Sequence, residues 1–461
     1  MSAVIEPAGE ALRALPLLNF ADAGRRFAWH AGCAVTIAGF LADVQAVAAV
    51  LPAAAAAVNL CEDRYAFLVA FCAVVSRGQT NLLPSSRAPQ AVDEVLAAHP
   101  GSYALCETQP DPAPRRFVRM PPPAGGDRRG EAPPVPAIPA TQVAAIGFTS
   151  GSTGQPKPNP KTWRSFHASN ANNAAALAAA LGLGPGELAH VVATVPPQHM
   201  YGIELSVLLP LLGPFAVHGG RPLFPADVAA ALAAVPEPRV LVTTPVHLRA
   251  LLADPLPLPR LGAITSATAP LPQELAAAAE ARYGAPVLEF FGSTETCVIA
   301  ERRAATEEPW RAYPGVTLRP QPDGTLVDAP HFEQPVTLQD IVELLPEHRF
   351  RLRGRHADLV EIAGKRASLA DLTRRVLALP GVADAAVFQL DEADAMGVRR
   401  IAALVVAPER GEAELMQALR DAVDPAFLPR PLRRVPALPR NETGKLPRAA
   451  LLAALAGGPV A

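Results

Sequence analysis

Short apolar runs alternate with helical stretches along the first two thirds of the chain. Tyr65–Ser76 (YAFLVAFCAVVS) is apolar on every side, which predicts a buried helix. Gly78 ends it, and Asn81–Leu83 predicts a strand. Apolar strand candidates recur at 190–195, 239–243, 261–265 and 287–291, with helical segments between them. This β/α alternation predicts a layered α/β domain. From Val143 the pattern reads strand, Gly/Ser loop, then an Ala-rich helix near Asn170–Leu181. The longest apolar stretch, Leu41–Leu60, is broken by Asp43, Gln45, Pro52 and Asn59, so it predicts a buried helix plus turn and not a membrane span. Asp111–Pro139 is dense in proline and carries Gly125 and Gly126, which predicts a long irregular surface connection.

The texture shifts at His348–Asp358 (HRFRLRGRHAD). Beyond it a smaller α+β unit is expected: a helix over Leu369–Leu379, strands at Ala385–Leu390 and Ile401–Val406, and a helix over Glu412–Val423 with Leu415, Leu419 and Ala422 on one face. The junction is expected near residue 353, giving a large layered α/β domain over 1–353 and a small mobile α+β domain over 354–461.

A chain of 461 residues exceeds one compact core, which agrees with two domains. Lys and Arg total 41 against 43 Asp and Glu, a net charge of −2, so broad nucleic-acid binding is not expected. The five cysteines, at 33, 61, 72, 106 and 297, show no Cys-x-x-Cys spacing and read as scattered reduced thiols. The first residues carry Glu6 and Glu10 without a basic segment followed by an apolar run, so no secretory signal is expected and the cytoplasm is the expected location.

The strongest local chemistry is Phe148-Thr-Ser-Gly-Ser-Thr-Gly-Gln-Pro-Lys157. Gly151 and Gly154 allow close backbone approach. Thr149, Ser150, Ser152 and Thr153 offer hydroxyls, successive N–H groups can form an anion cradle, and Lys157 adds positive charge. The common NTPase loop, G-x-x-x-x-G-K-[ST], is not what stands here, which argues against an ordinary ATPase or kinase.

Together with this loop, four further segments occur in order: Pro196-Pro-Gln-His-Met-Tyr-Gly202, Phe291-Gly-Ser-Thr-Glu295, Gly354-Arg355 with Gly364-Lys-Arg366, and Leu438-Pro-Arg-Asn-Glu-Thr-Gly-Lys445. In these five motifs the chain resembles the adenylate-forming superfamily of acyl- and aryl-CoA synthetases, amino-acid adenylation domains and luciferases. The resemblance implies ATP-dependent conversion of a carboxylic acid to acyl-AMP. Transfer then follows to a thiol, either CoA or the phosphopantetheine of an acyl carrier protein. It gives Lys445 the task of placing positive charge between two anions in the transition state. It assigns Glu295 to Mg²⁺, Phe291 to the adenine face, and Gly292 and Thr294 to the same nucleotide site. Asp340 would bond the ribose hydroxyls and Arg355 the nucleotide. Arg366 would approach the phosphate or thiol side, and His199 would stand at the mouth of the acyl pocket.

Several positions depart from the family pattern. Pro158 replaces a glycine after Lys157, and Leu338-Gln339 precede Asp340 in place of Thr-Gly. Ser266-Ala267-Thr268-Ala269-Pro270 replaces a Ser-Gly-Gly-Ala-Pro loop, so the side chains of Ala267 and Thr268 would narrow the acyl pocket. Ala357 stands where the first of two hinge acids is expected. Tyr201-Gly202-Ile203 lacks the aspartate that holds an amino-acid amine. A hydroxybenzoate-like aromatic or a short acyl acid is therefore expected, as in the stand-alone ligases of aryl-polyene and similar pigment clusters. The arginines at 349, 351, 353, 355, 399, 400, 430, 433 and 434 form basic patches that could meet CoA phosphates or an acidic carrier protein. The alternative is a nucleotide-binding pseudo-enzyme that organises a pathway.

Overall fold

The computed structural model describes residues 14–20, 22–84, 86–128, 132–150, 156–322, 324–355, 359–362, 365–393, 399–441 and 444–457. The chain divides into two compact units. The first comprises residues 1–308, 312–316 and 329–333, and the second 309–311, 317–328 and 334–461.

Two largely parallel sheets build the first unit. In one, the strands run in the order Cys297–Arg303, Val287–Ser293, Ala263–Ser266, Arg239–Thr243, Ala189–Ala193, Phe215–His218, Arg26–His30 and Cys33–Thr36, parallel except for an antiparallel pairing at each end. In the other, the order is Pro156–Thr162, Val143–Ser150, Thr80–Leu83, Ala56–Asn59, Tyr103–Cys106 and Phe117–Arg119. Only its outermost hairpin is antiparallel. The helix Arg64–Ser76 packs against strands of both sheets, which is why it is apolar all round and buried from Arg64 through Val75. Asp63 caps it by accepting the Ala66 N–H at 2.9 Å.

Three expectations need correction. Leu41–Leu60 is not a helix plus turn alone: the helix Ile37–Val50 is followed by a buried strand, Ala56–Asn59. Four small residues flanked by breaks carry no helical period, and burial on both faces hid the strand. The Gly/Ser loop does not lead directly into a helix near 170. The strand Pro156–Thr162, paired antiparallel with Val143–Ser150, comes first, and the helix starts at Trp163. The proline-rich segment is not wholly irregular, since Phe117–Arg119 and Ala137–Pro139 are strands. It is also pinned: the buried Asp43 carboxylate accepts from Ala124 N–H (3.1 Å), Gly125 N–H (2.9 Å) and the Tyr65 hydroxyl (2.7 Å).

The second unit carries the strands Asp384–Ala393, Arg399–Val406 and Leu432–Arg434 in one sheet. Its side chains alternate as a two-faced core requires. Val387, Ile401, Ala403 and Val405 pack with Leu372, Val376, Leu415 and Leu419. Ala386, Phe388, Ala402 and Leu404 face Leu438, Leu451 and Ala454. A three-stranded sheet and two hairpins, Asp340–Leu345 with Arg349–Arg355 and Leu359–Ile362 with Lys365–Ser368, complete it. The basic texture is thus largely a strand, Arg349–Arg355, whose Arg351 and Arg353 pair with Glu343 on the neighbouring strand Asp340–Leu345.

In the first unit a polar knot sits inside apolar surroundings. The helical segment from Met200 to Leu212 passes through a π turn at Glu204–Leu208. Its first residue, Glu204, is 1% exposed. The carboxylate accepts from Ser169 Oγ at 2.6 Å, Asn173 Nδ2 at 3.1 Å and Val298 N–H at 3.0 Å. Burial pushes its pKa up while these donors oppose the shift. Tyr313 adds a hydroxyl bond to Asn173 Oδ1 at 3.0 Å.

Glu204→Ala strands three donors in the core. It should cost on the order of 3 kcal/mol and lower the urea midpoint, with Glu204→Gln retaining part of the difference. Buried His190 and His331 both have pKa values lowered to about 4, chiefly by desolvation, from an ordinary 6.5. The unfolded chain then binds more protons between those values. Their contribution to stability is complete above pH 6.5 and is lost as pH falls toward 4. Thermal melts from pH 7 to 4 should show that loss, and His190→Phe should flatten part of it.

Candidate active site

The carboxyl edges of parallel strands collect the chemistry-bearing residues of the first unit, where open α/β sheets hold their ligands. Thr149 and Ser150 end the strand Val143–Ser150. Gly151, Ser152, Thr153 and Gly154 lie outside the described residues. Lys157 is exposed and is the register partner of Thr149. Pro156, Pro158 and Pro160 alternate along the outermost strand of the sheet, a position that needs no N–H on its outer side. The residues between them share one face. Asn159 Nδ2 donates to Gly147 O (3.3 Å) and Lys157 O (3.0 Å), and Lys161 Nζ donates to the Glu295 carbonyl.

Lys161 therefore ties the strand Pro156–Thr162 to the Phe291–Glu295 motif. Phe291 is half-buried and follows four consecutive buried residues, Val287 to Phe290, so the strand emerges from the core at this position. Thr294 and Glu295 occupy the turn that follows, both half-buried. Ser293 and Thr296 lock that turn through reciprocal bonds of 3.0 to 3.2 Å. Gly292 must be glycine, because a Cβ there would lie 2.1 Å from Cys297 O.

In the Pro196–Gly202 motif, His199 stands at the N-cap of the short helix Met200–Ile203. A Cβ at Gly202 would meet Pro196 O at 1.9 Å, so only glycine lets the chain turn back on itself here. Arg64, wholly buried, fixes the start of this loop by donating to the carbonyls of Ala193 (2.8 Å) and Val195 (2.7 Å) and to Ser206 Oγ. Desolvation lowers its pKa to about 9. His199, Met200 and Gln198 line a cavity of about 20 Å³ with Thr294, Gly147 and Phe148. Segments far apart in sequence thus meet against the strand that leads into the Gly/Ser loop.

Ser266 ends its strand with a buried hydroxyl that meets no hydrogen-bond partner among the described residues. Ala267 is buried, and Thr268 adopts φ +75°, the left-handed region that suits glycine and strains a β-branched residue. Glu289 steadies the segment beyond, accepting from Leu271 N–H (2.9 Å) and from Arg302 Nε (2.7 Å).

The remaining residues belong to the second unit. Asp340 and Arg355 face each other as register partners, with Thr325 Oγ1 bonding the Asp340 carbonyl at 2.6 Å. Arg366 pairs in register with Glu361. Lys445 is exposed on a tight loop. Asn441 Oδ1 accepts the Lys445 N–H at 2.9 Å, Asn441 N–H bonds Lys445 O at 2.9 Å, and Arg440 bridges Gly444 O and Asp384. Sequence reading missed Asn159, Lys161, Thr296 and Glu289. Period-two spacing of the polar residues between the prolines was the available signal for the first two.

Comparison with known proteins agrees with this architecture. A profile of the AMP-binding enzyme family matches residues 28–335, and the profile of its C-terminal domain matches residues 375–445. A 4-coumarate–CoA ligase of Rhodobacter capsulatus is 31% identical over 312 residues, covering 65% of this chain and 74% of that protein. A sulfoacetate–CoA ligase of Cupriavidus necator is 27% identical over 372 residues, covering 69% and 71%. Among solved structures, ATP-bound MatB of Rhodopseudomonas palustris superposes with a TM-score of 0.78 at 21% identity, covering 94% of this chain and 96% of that one. The o-succinylbenzoate CoA synthetase of Bacillus subtilis gives 0.73 at 18%, covering 93% and 95%. With the family profile spanning residues 28–335 and the C-terminal profile following it, the chain belongs to the AMP-binding, adenylate-forming enzymes and is an AMP-forming acid–thiol ligase.

Proposed function

We propose that the protein activates a hydroxylated aromatic acid as its acyl-AMP and transfers the acyl group to CoA. The observation that carries this reading is the meeting of His199, Thr294 and Gly147 around one cavity, which brings the acid-side motif, the Phe291–Glu295 motif and the phosphate-loop strand together. The aromatic acid is favoured by the two side chains, Ala267 and Thr268, at positions where glycines would leave a deeper pocket. The two 4-coumarate–CoA ligases at 31% identity point the same way. Several relatives are named CoA ligases, which favours CoA over a carrier-protein phosphopantetheine as acceptor.

In this reading the Gly/Ser segment 151–154, flanked in sequence by Thr149, Ser150 and Lys157, cradles the triphosphate. Phe291 stacks on adenine, with Gly292 and Thr294 beside it, while Asp340 and Arg355 take the ribose and nucleotide. His199 and the orphan Ser266 hydroxyl meet the acid, and Thr268 sets the depth of its pocket. Glu295 suits Mg²⁺, since a half-exposed carboxylate on a turn anchored by Lys161 offers a hard oxygen donor. Bound there, Mg²⁺ would neutralise charge on the triphosphate. Lys445 brings positive charge between carboxylate and α-phosphate as the oxygen attacks and pyrophosphate departs. The lobe over 354–461 then turns about a hinge near 353–358, withdrawing Lys445 and admitting the thiol beside Arg366. Residues 356–358 of that hinge lie outside the described residues. Water is kept from the mixed anhydride while the lobe is closed. A cytoplasmic setting, where CoA is held as a thiol, belongs to the same proposal.

Lys445→Ala should slow acid-dependent pyrophosphate exchange about 10²- to 10³-fold. Thioester formation from preformed acyl-AMP should be far less affected, and the melting temperature unchanged. Undiminished exchange would remove the assigned role. A panel of benzoates, cinnamates and short acids, read by hydroxamate trapping, tests the acid, and palmitate as the preferred substrate would overturn the aromatic reading. Thr268→Gly should relieve about 1 kcal/mol of backbone strain, raising the melting temperature by about one degree, and should shift the panel toward bulkier acids.

A further inference from the structure

Away from the site just described, three neighbouring parallel strands end in sulphur. Ala56–Asn59 leads to Cys61, Tyr103–Cys106 ends on Cys106, and Phe117–Arg119 is followed by Met120. These strands are adjacent in their sheet, so strand order brings together residues that no sequence spacing connects. Cys61 Sγ lies 3.4 Å from Met120 Sδ. Cys106 Sγ lies 3.3 Å from Glu107 Oε2 and 3.3 Å from the Leu60 carbonyl, with Thr108 Oγ1 at 3.9 Å. The ligand atoms of Cys61, Cys106 and Glu107 all fall within 4.8 Å of one another. Cys61 and Met120 are 1% exposed and Cys106 2%. Backbone ties set these positions: Leu60 N–H bonds Leu105 O at 2.8 Å and Met120 N–H bonds Cys106 O at 3.0 Å.

We propose that Cys61, Cys106 and Met120 form a binding site for a soft monovalent cation, copper(I), held by two thiolates and a thioether. The donor set decides the metal. Thiolate and thioether sulphur select copper(I), whereas zinc takes thiolate, imidazole or carboxylate in fours, and here a thioether stands where a fourth such ligand would be needed. Loading exchanges protons for metal: each thiol gives up its proton to solvent as its sulphur binds, leaving one negative charge on the bis-thiolate complex. No change of oxidation state is involved. The tight burial of the three sulphur-bearing residues and the 3.4 Å approach of Cys61 Sγ to Met120 Sδ suit a small ion.

The site is separate from the nucleotide chemistry. It lies at the same edge of the sheet as Ser150, but the strands Thr80–Leu83 and Ala56–Asn59 intervene between the phosphate-loop strand and Tyr103–Cys106. At about 4.8 Å per strand, Cys106 is some three strand spacings away.

The test uses the full-length, anaerobically reduced protein titrated with copper(I) against a coloured copper(I) chelator, bicinchoninate. One equivalent should be withdrawn from the chelator. Cys61→Ser and Cys106→Ser should each weaken that binding at least 100-fold. Met120→Leu, which keeps volume, should weaken it about tenfold while leaving the apo melting temperature unchanged. Glu107→Gln and Cys33→Ser should leave it intact. X-ray absorption of the loaded protein should show sulphur-only coordination. The proposal is overturned by no stoichiometric uptake in the wild-type protein, by uptake that survives both cysteine variants, by an unaltered affinity in Met120→Leu, or by tighter retention of zinc than of copper(I).

Discussion

One buried carboxylate organises the floor of the nucleotide-binding unit. Glu204 takes hydrogen bonds from a helix through Ser169 and Asn173 and from the strand Cys297–Arg303 through the Val298 N–H. It sits where the helical segment widens into a π turn. Such a group is expensive to desolvate unless its oxygens are filled, and here they are. The widened turn is what lets Glu204 reach a helix and a strand at once. The same strand leads back through the turn holding Thr294 and Glu295, and the same helical segment begins at His199. A charge with no part in the chemistry thus sets the spacing between two motifs proposed to carry it.

Electrostatics around this knot is arranged by anchoring. Lys161 places its ammonium on the carbonyl of Glu295, and Arg64 satisfies the carbonyls of Ala193 and Val195. Both cations spend their donors on backbone oxygens at strand ends, where carbonyls lack a ladder partner. They hold loops that the sheets alone would leave loose. Lys445 contrasts with them: its backbone is fixed by Asn441 while its side chain is exposed.

Much of the fold was legible because its signals are local. The buried helix at 64–76, the strands near 190, 240, 264 and 288, and the α+β pattern after 369 follow from hydrophobic period. The motifs were legible because glycine, histidine and lysine recur there at family spacings. What failed depended on partners distant in sequence. Pro156–Thr162 holds three prolines and two lysines, and only its place at the rim of a sheet makes it a strand. Nothing in the sequence pointed to Lys161, whose partner, the Glu295 carbonyl, lies far along the chain. Cys61 and Cys106 looked scattered because strand order, not spacing, unites them. The roles of Lys445, Glu295 and the 266–268 segment rest on family pattern plus local geometry, and the orphan hydroxyl at Ser266 was invisible before burial was known.

The alternating prolines of the outer strand carry a consequence for the whole molecule's behaviour in a crowded cell. An open sheet rim with free amide hydrogens recruits stray chains and seeds fibrils, and any ligand loop beside such a rim would be smothered by them. Three missing hydrogens in seven residues deny an incoming strand its ladder. The hairpin proposed to face the nucleotide is thereby kept from becoming glue.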